Sequence, residues 1–129
     1  MFAAPNRMMA AYARYSEVDV KARVEGASPH GLILILFEEL QKALATMAAA
    51  ERAGDRGRSL TVQARALSML HGLETGLDYE RGGEIADTLG KIYREARRLL
   101  GTQGDARGKA IEDARDIIND ISEAWAAIG

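Results

Sequence analysis

The chain has 129 residues, enough for one domain that buries roughly two-thirds of the surface its unfolded form exposes. Seventeen Lys and Arg against nineteen Asp and Glu leave a net charge of −2, which argues against nucleic acid or an anionic membrane as the main partner. There is no cysteine, which removes disulfides and thiolate chemistry and fits a reducing compartment.

The opening stretch "MFAAPNRMMAAYARY" lacks the continuous apolar core of a signal peptide, and no run approaches the length of a membrane span. The expectation is a soluble, cytoplasmic protein with no membrane insertion. Met8, Tyr12 and Tyr15 fall at helical spacing, but the segment is too short to hold a helix alone. "SEVDVKARVEGA" then alternates weakly through Val18 and Val20 and has no turn chemistry before Gly26. Residues 1–27 are therefore read as an arm, a short helix followed by extended chain, lying on a single domain at 28–129.

"ASPHGLILILFEEL" (27–40) contains an apolar run that resembles a strand, yet Ser28 suits a helix N-cap and Pro29 the first helical position. Leu40, Leu44 and Met47 continue the spacing of Ile33, Leu36 and Phe37, so a helix is predicted from about Pro29 to Ala53. "GDRG" (54–57) ends it. A second helix follows from about Arg58 to Gly76, and "LDYERGG" (77–83) turns the chain. A third, from about Glu84 to Leu100, has Ile85, Leu89, Ile92, Tyr93 and Ala96 at near-ideal spacing. After "GTQGD" (101–105), a fourth from about Arg107 to Ile128 repeats the pattern, with Trp125 expected to be largely buried beside Ile121 and Ile128.

Long helices joined by short loops make antiparallel neighbours, so the fold class is all-α, an up-down-up-down four-helix bundle with an N-terminal arm. Lys91, Arg94, Arg97 and Arg98 on the third helix could pair across a seam with Glu112, Asp113, Asp116, Asp120 and Glu123 on the fourth, or both could be solvated faces. The apolar stripes of the third and fourth helices have the width a core needs, while those of the first two are wider. Leu32, Leu34 and Ile35 lie off the first helix's stripe, and Leu60, Leu67, Val62 and Met69 flank the second's. Surplus apolar surface of this kind marks an interaction site more often than an error, the alternative being that the N-terminal arm alone covers it permanently.

Catalytic patterns are missing. A di-metal bundle needs Glu-x-x-His pairs, whereas His30 and His71 have no Glu three residues before them. "ERGGE" (80–84) lacks the Gly-Lys-Ser/Thr of a phosphate loop and reads as a turn with glycines at positive φ. No enzyme activity, metal, cofactor or small-molecule substrate is expected.

"YSEVDVKARVEGASPHGLILILFEEL", "GLDYERGGEIADTLGKIYREARRLL" and "ISEAWAAI" together resemble the flagellar secretion chaperone family, FliS, from Tyr12 to Ile128. The most specific pieces are Ala-Ser-Pro-His at 27–30, Leu-Asp at 77–78, Gly-Gly-Glu-Ile-Ala at 82–86, Leu89 with Tyr93, and Ala-Trp at 124–125. The chain departs from the family pattern after Tyr93, where "REARRLLGTQGD" lacks a second aromatic. The resemblance implies a helical bundle that binds the disordered C-terminal segment of flagellin one-to-one. It also implies protection of that segment from premature polymerisation and its delivery to a flagellar export gate component. On this reading Leu32, Leu34, Ile35, Leu60, Val62, Leu67 and Met69 form the flagellin groove. Tyr12, Tyr15, Val18 and Val20 form an arm that caps it. The alternative is a helical-bundle regulatory or scaffold module that self-associates through its arm.

Overall fold

A computed structural model describes residues 20–129, and within them the protein is all helix and connecting turn. α1 occupies residues 20–26; α2 is Pro29–Arg52, α3 Arg56–Thr75, α4 Tyr79–Leu100 and α5 Arg107–Ala127, the last preceded by a 3₁₀ turn at Gly104–Ala106. Three N-termini are capped by short polar side chains that accept an otherwise orphaned backbone N–H. Ser28 Oγ accepts from Gly31, Asp55 Oδ1 from Arg58 and Asp78 Oδ1 from Arg81, each at 3.1 Å.

Each of the four long helices lies against two others: α2 against α3 and α5, and α4 against α3 and α5. The start of α2 meets the end of α5 through His30 and Trp125, and its end meets the start of α5 through Arg52 and Glu112. The core between them is apolar and continuous, with Phe37, Leu40 and Leu44 of α2 facing Leu70 of α3, Tyr93 of α4 and Ile118 of α5. Phe37 and Tyr93 meet as tilted rings 6.4 Å apart.

A polar knot closes this core where α5 begins. Arg107 is 2% exposed and reaches five acceptors. Its Nε donates to Glu51 Oε2 (3.2 Å), Nη1 to the carbonyls of Leu100 and Thr102 (3.3 and 3.2 Å), and Nη2 to Ser59 Oγ (3.1 Å) and Gln63 Oε1 (2.6 Å). Ser59 Oγ in turn donates to Glu51 (2.9 Å). A buried guanidinium is tolerated because its planar fork finds an acceptor in every direction.

Three sequence expectations change, and the alternative left open for the charged faces of the last two helices resolves. Residues 20–26 are helical, not extended: Val20 and Val24 are four apart, and Lys21, Ala22, Arg23 and Glu25 are good helix formers. The rest of the arm lies outside the described residues. α4 begins at Tyr79, because Asp78 caps it; the turn expected there shrinks to a kink at Gly83, whose φ of 49° and ψ of −123° suit only glycine. No ion pair forms along the α4–α5 seam. Arg94 and Arg97 point instead to Glu74 of α3, Arg98 pairs with Glu95 on its own helix, and on α5 Asp113 pairs with Lys109. Spacing gives a helix its faces but not which neighbour each face meets. Trp125 is half-buried, because Ile128 beside it is 67% exposed and leaves its outer edge open.

A candidate binding groove at the helix ends

The Ser28 cap and Pro29 start α2 so that Leu32, Ile33 and Leu36 share one side of its first turns. α3 ends at Thr75 and the chain turns through Leu77, while the Gly83 kink sets Ile85 and Leu89 opposite. These side chains and Trp125 line an apolar groove of ≈ 690 Å³ at one end of the helices. All four long helices contribute to it.

His30 stacks on Trp125 with ring centroids 4.7 Å apart and planes 11° from parallel. The indole Nε1–H donates to the His30 carbonyl at 3.0 Å. That bond ties the last turn of α5 to the first turn of α2 and fixes one wall of the groove. Asp78 and Arg81, paired at 3.6 Å, supply a polar rim. A second cleft of ≈ 330 Å³ shares Ile85, Leu89 and Trp125 and continues the apolar surface towards Ile121 and Ile128. Ile85, 58% exposed, stands between the two.

This surface suits binding. Among the described residues no group of His, Cys, Asp or Glu is placed to hold a metal ion, and no helix is long and apolar enough to cross a membrane. Burying a side chain the size of Ile or Leu contributes about 1.5–3 kcal/mol, so two or three such contacts offset the roughly 2–5 kcal/mol needed to order a disordered segment.

The sequence-predicted groove residues do not form one surface. Leu32 lines the end groove. Val62, 8% exposed, and the half-buried Met69 line a separate cleft between α2 and α3. Leu67 is half-buried and packs on the core, Leu34 is half-buried, and Leu60 is exposed. Ile35 is 6% exposed yet stands outside the main core cluster. Glu38, three residues on and therefore on the same face, pairs with Arg23 at 2.6 Å, which brings α1 to that side of α2. Val20 is half-buried within α1, whereas Tyr12, Tyr15 and Val18 lie outside the described residues. Sequence reasoning missed Leu36, Leu73, Leu77, Ile85, Leu89 and Trp125 as groove residues. Most sit in helical stripes whose spacing reads as core, and the available signal is Leu77, an apolar residue inside a turn.

A protein-family model described as "Flagellar protein FliS" matches residues 8–129. A flagellar secretion chaperone FliS of Salmonella typhimurium is 37% identical over 88% of this chain and 86% of its own length. A flagellar secretion chaperone FliSB of Pseudomonas aeruginosa is 27% identical over 93% of this chain and 96% of its own. The FliS of Escherichia coli is 25% identical, with 86% and 83% covered.

Proposed function

The chain belongs to the FliS family of flagellar secretion chaperones, and we propose that it binds the C-terminal segment of flagellin one-to-one in the cytoplasm. On this reading it keeps that segment from polymerising prematurely and hands it to a component of the flagellar export gate. The four long helices act as an antiparallel, up-down-up-down bundle, and the N-terminal arm, through Tyr12 and Tyr15, covers apolar surface until flagellin arrives. The observation that carries the reading is the end groove, an apolar channel that leaves Ile85 58% exposed. Monomeric proteins seldom leave contiguous apolar surface open without a partner for it.

Within this reading Leu32, Leu36, Leu77, Ile85 and Trp125 contact flagellin. The test is titration calorimetry of the purified chain with the flagellin C-terminal segment. One-to-one binding is expected, weakened tenfold or more by Ile85→Asp, an exposed substitution that leaves the helical circular dichroism unchanged. Undiminished binding by both Ile85→Asp and Leu32→Asp would place the flagellin site elsewhere. A chain that self-associates and ignores flagellin would favour the scaffold alternative.

A further inference from the structure

Between α2 and α3 lies a cleft of ≈ 570 Å³ whose chemistry differs from that of the end groove. Its floor is apolar, made by Ala43, Val62 and Met69. Its rim is basic, with Lys42 on the α2 side and Arg58 and Arg65 on the α3 side, against one carboxylate, Glu39. Lys42 pairs with Glu39, but neither Arg58 nor Arg65 has a carboxylate partner among the described residues. α3 offers them none: its one acidic residue is Glu74, which Arg94 and Arg97 already hold. Arg58 and Arg65 are seven residues apart on one face, so their backbones are separated by about 10 Å, two helical turns.

We infer that this cleft docks an acidic amphipathic segment of a partner protein. Its apolar side chains rest on Val62 and Met69, and two carboxylates seven residues apart on a helix meet Arg58 and Arg65. Complementary charge of this kind sets orientation and selects against wrong partners. Other occupants fit less well. Residues 1–19 balance Arg7 and Arg14 with Glu17 and Asp19, so they carry no acidic surplus. A second copy could present Asp116, Asp120 and Glu123 of α5, but the exposed residues on that face are Asn119, Ala124, Ala126 and Ala127, which bring no large apolar side chain to the floor; its Glu80 and Asp87, also seven apart, are separated by the Gly83 kink and so do not share one regular helical face. Nucleic acid would find arginines but no aromatic surface on which bases stack. The inference is independent of whether flagellin fills the end groove.

The test is a nuclear magnetic resonance titration of the isotope-labelled full chain with three synthetic helical peptides of equal length. One carries Glu at positions seven apart with Leu on the same face, one replaces Glu by Lys, and one replaces Leu by Ser. Only the first is expected to shift the amides of 42–46 and 58–69, and less so as salt is raised. Arg58→Glu with Arg65→Glu, both at exposed positions, should weaken that binding on the order of tenfold or more. Equal responses to all three peptides, or an unaffected double variant, would overturn the proposal. So would shifts at these amides with an RNA oligonucleotide or anionic vesicles when the acidic peptide gives none. Low-salt self-association that the double variant abolishes, with no response to peptide, would assign the cleft to a second copy and overturn it equally.

Discussion

Replacing Arg107 by Ala removes the donor of five hydrogen bonds and leaves their acceptors behind. Breaking a buried ion pair by deleting one partner costs about 3–5 kcal/mol. The lower part of that range applies here, because the Glu51 side chain is 27% exposed and water can reach it, and Ser59 still donates to it. The unsatisfied remainder is the Leu100 carbonyl, the acceptor lone pair of Ser59 Oγ and the cavity left by the side chain. A loss of about 3 kcal/mol is therefore expected, which for a domain of this size lowers the melting temperature by about 10 °C. Urea unfolding followed by circular dichroism measures it, with an unchanged m value if the denatured state is unaffected. Arg107→Met fills most of the volume but donates nothing, so it isolates the hydrogen-bonding part. A Met variant as stable as the wild type, or an Ala variant that loses less than about 1 kcal/mol, would show that the knot is not an energetic fastening.

Three other outcomes follow from the same geometry. The Ser59 hydroxyl, and after it Arg107, hold the Glu51 carboxyl below its ordinary range against the opposing effect of burial; that stability is present above the unfolded carboxylate range and is lost as pH falls through the lower folded value, so the deficit of Glu51→Gln in urea unfolding should shrink in acid. Gly83→Ala places a Cβ in open space but at a φ of 49°, so it should cost about 1–3 kcal/mol by backbone strain alone, and a neutral result in thermal melts would remove the kink as a constraint. Trp125→Phe keeps a ring on His30 and loses the bond to its carbonyl, for about 1 kcal/mol. Trp125→Ala should cost more than Trp125→Phe but less than the roughly 3–5 kcal/mol of a fully buried aromatic, both read from urea midpoints.

Helix limits were legible where a chemical signal marks them. Ser28 and Pro29 announce α2 one residue apart, and the break at 101–105 announces α5. The starts of α3 and α4 come two and five residues earlier than their apolar periodicity suggests, because Asp55 and Asp78 cap them before the first core residue. The groove was less legible. Ile85 and Leu89 belong to the same periodic set as Tyr93, and periodicity does not say that the helix end carrying Ile85 stands clear of its neighbours. Ile35 did stand apart from the main stripe, as its position on the helical wheel required. Nothing local marked Arg107 for burial, since its acceptors come from residues 51, 59, 63, 100 and 102.

The two ends of the molecule are fastened by different means. At one, Arg107 joins the end of α2, the start of α3 and the end of α4 through oriented hydrogen bonds, which fail together or not at all. At the other, Leu32, Leu73, Ile85 and Trp125 line an open apolar groove, where contacts carry no direction, and one indole bond bridges α2 and α5. Local opening should therefore start at the groove and die away towards Arg107, giving a gradient of amide exchange along each helix. The groove end would therefore yield first under load, while the far end keeps the register of the helices.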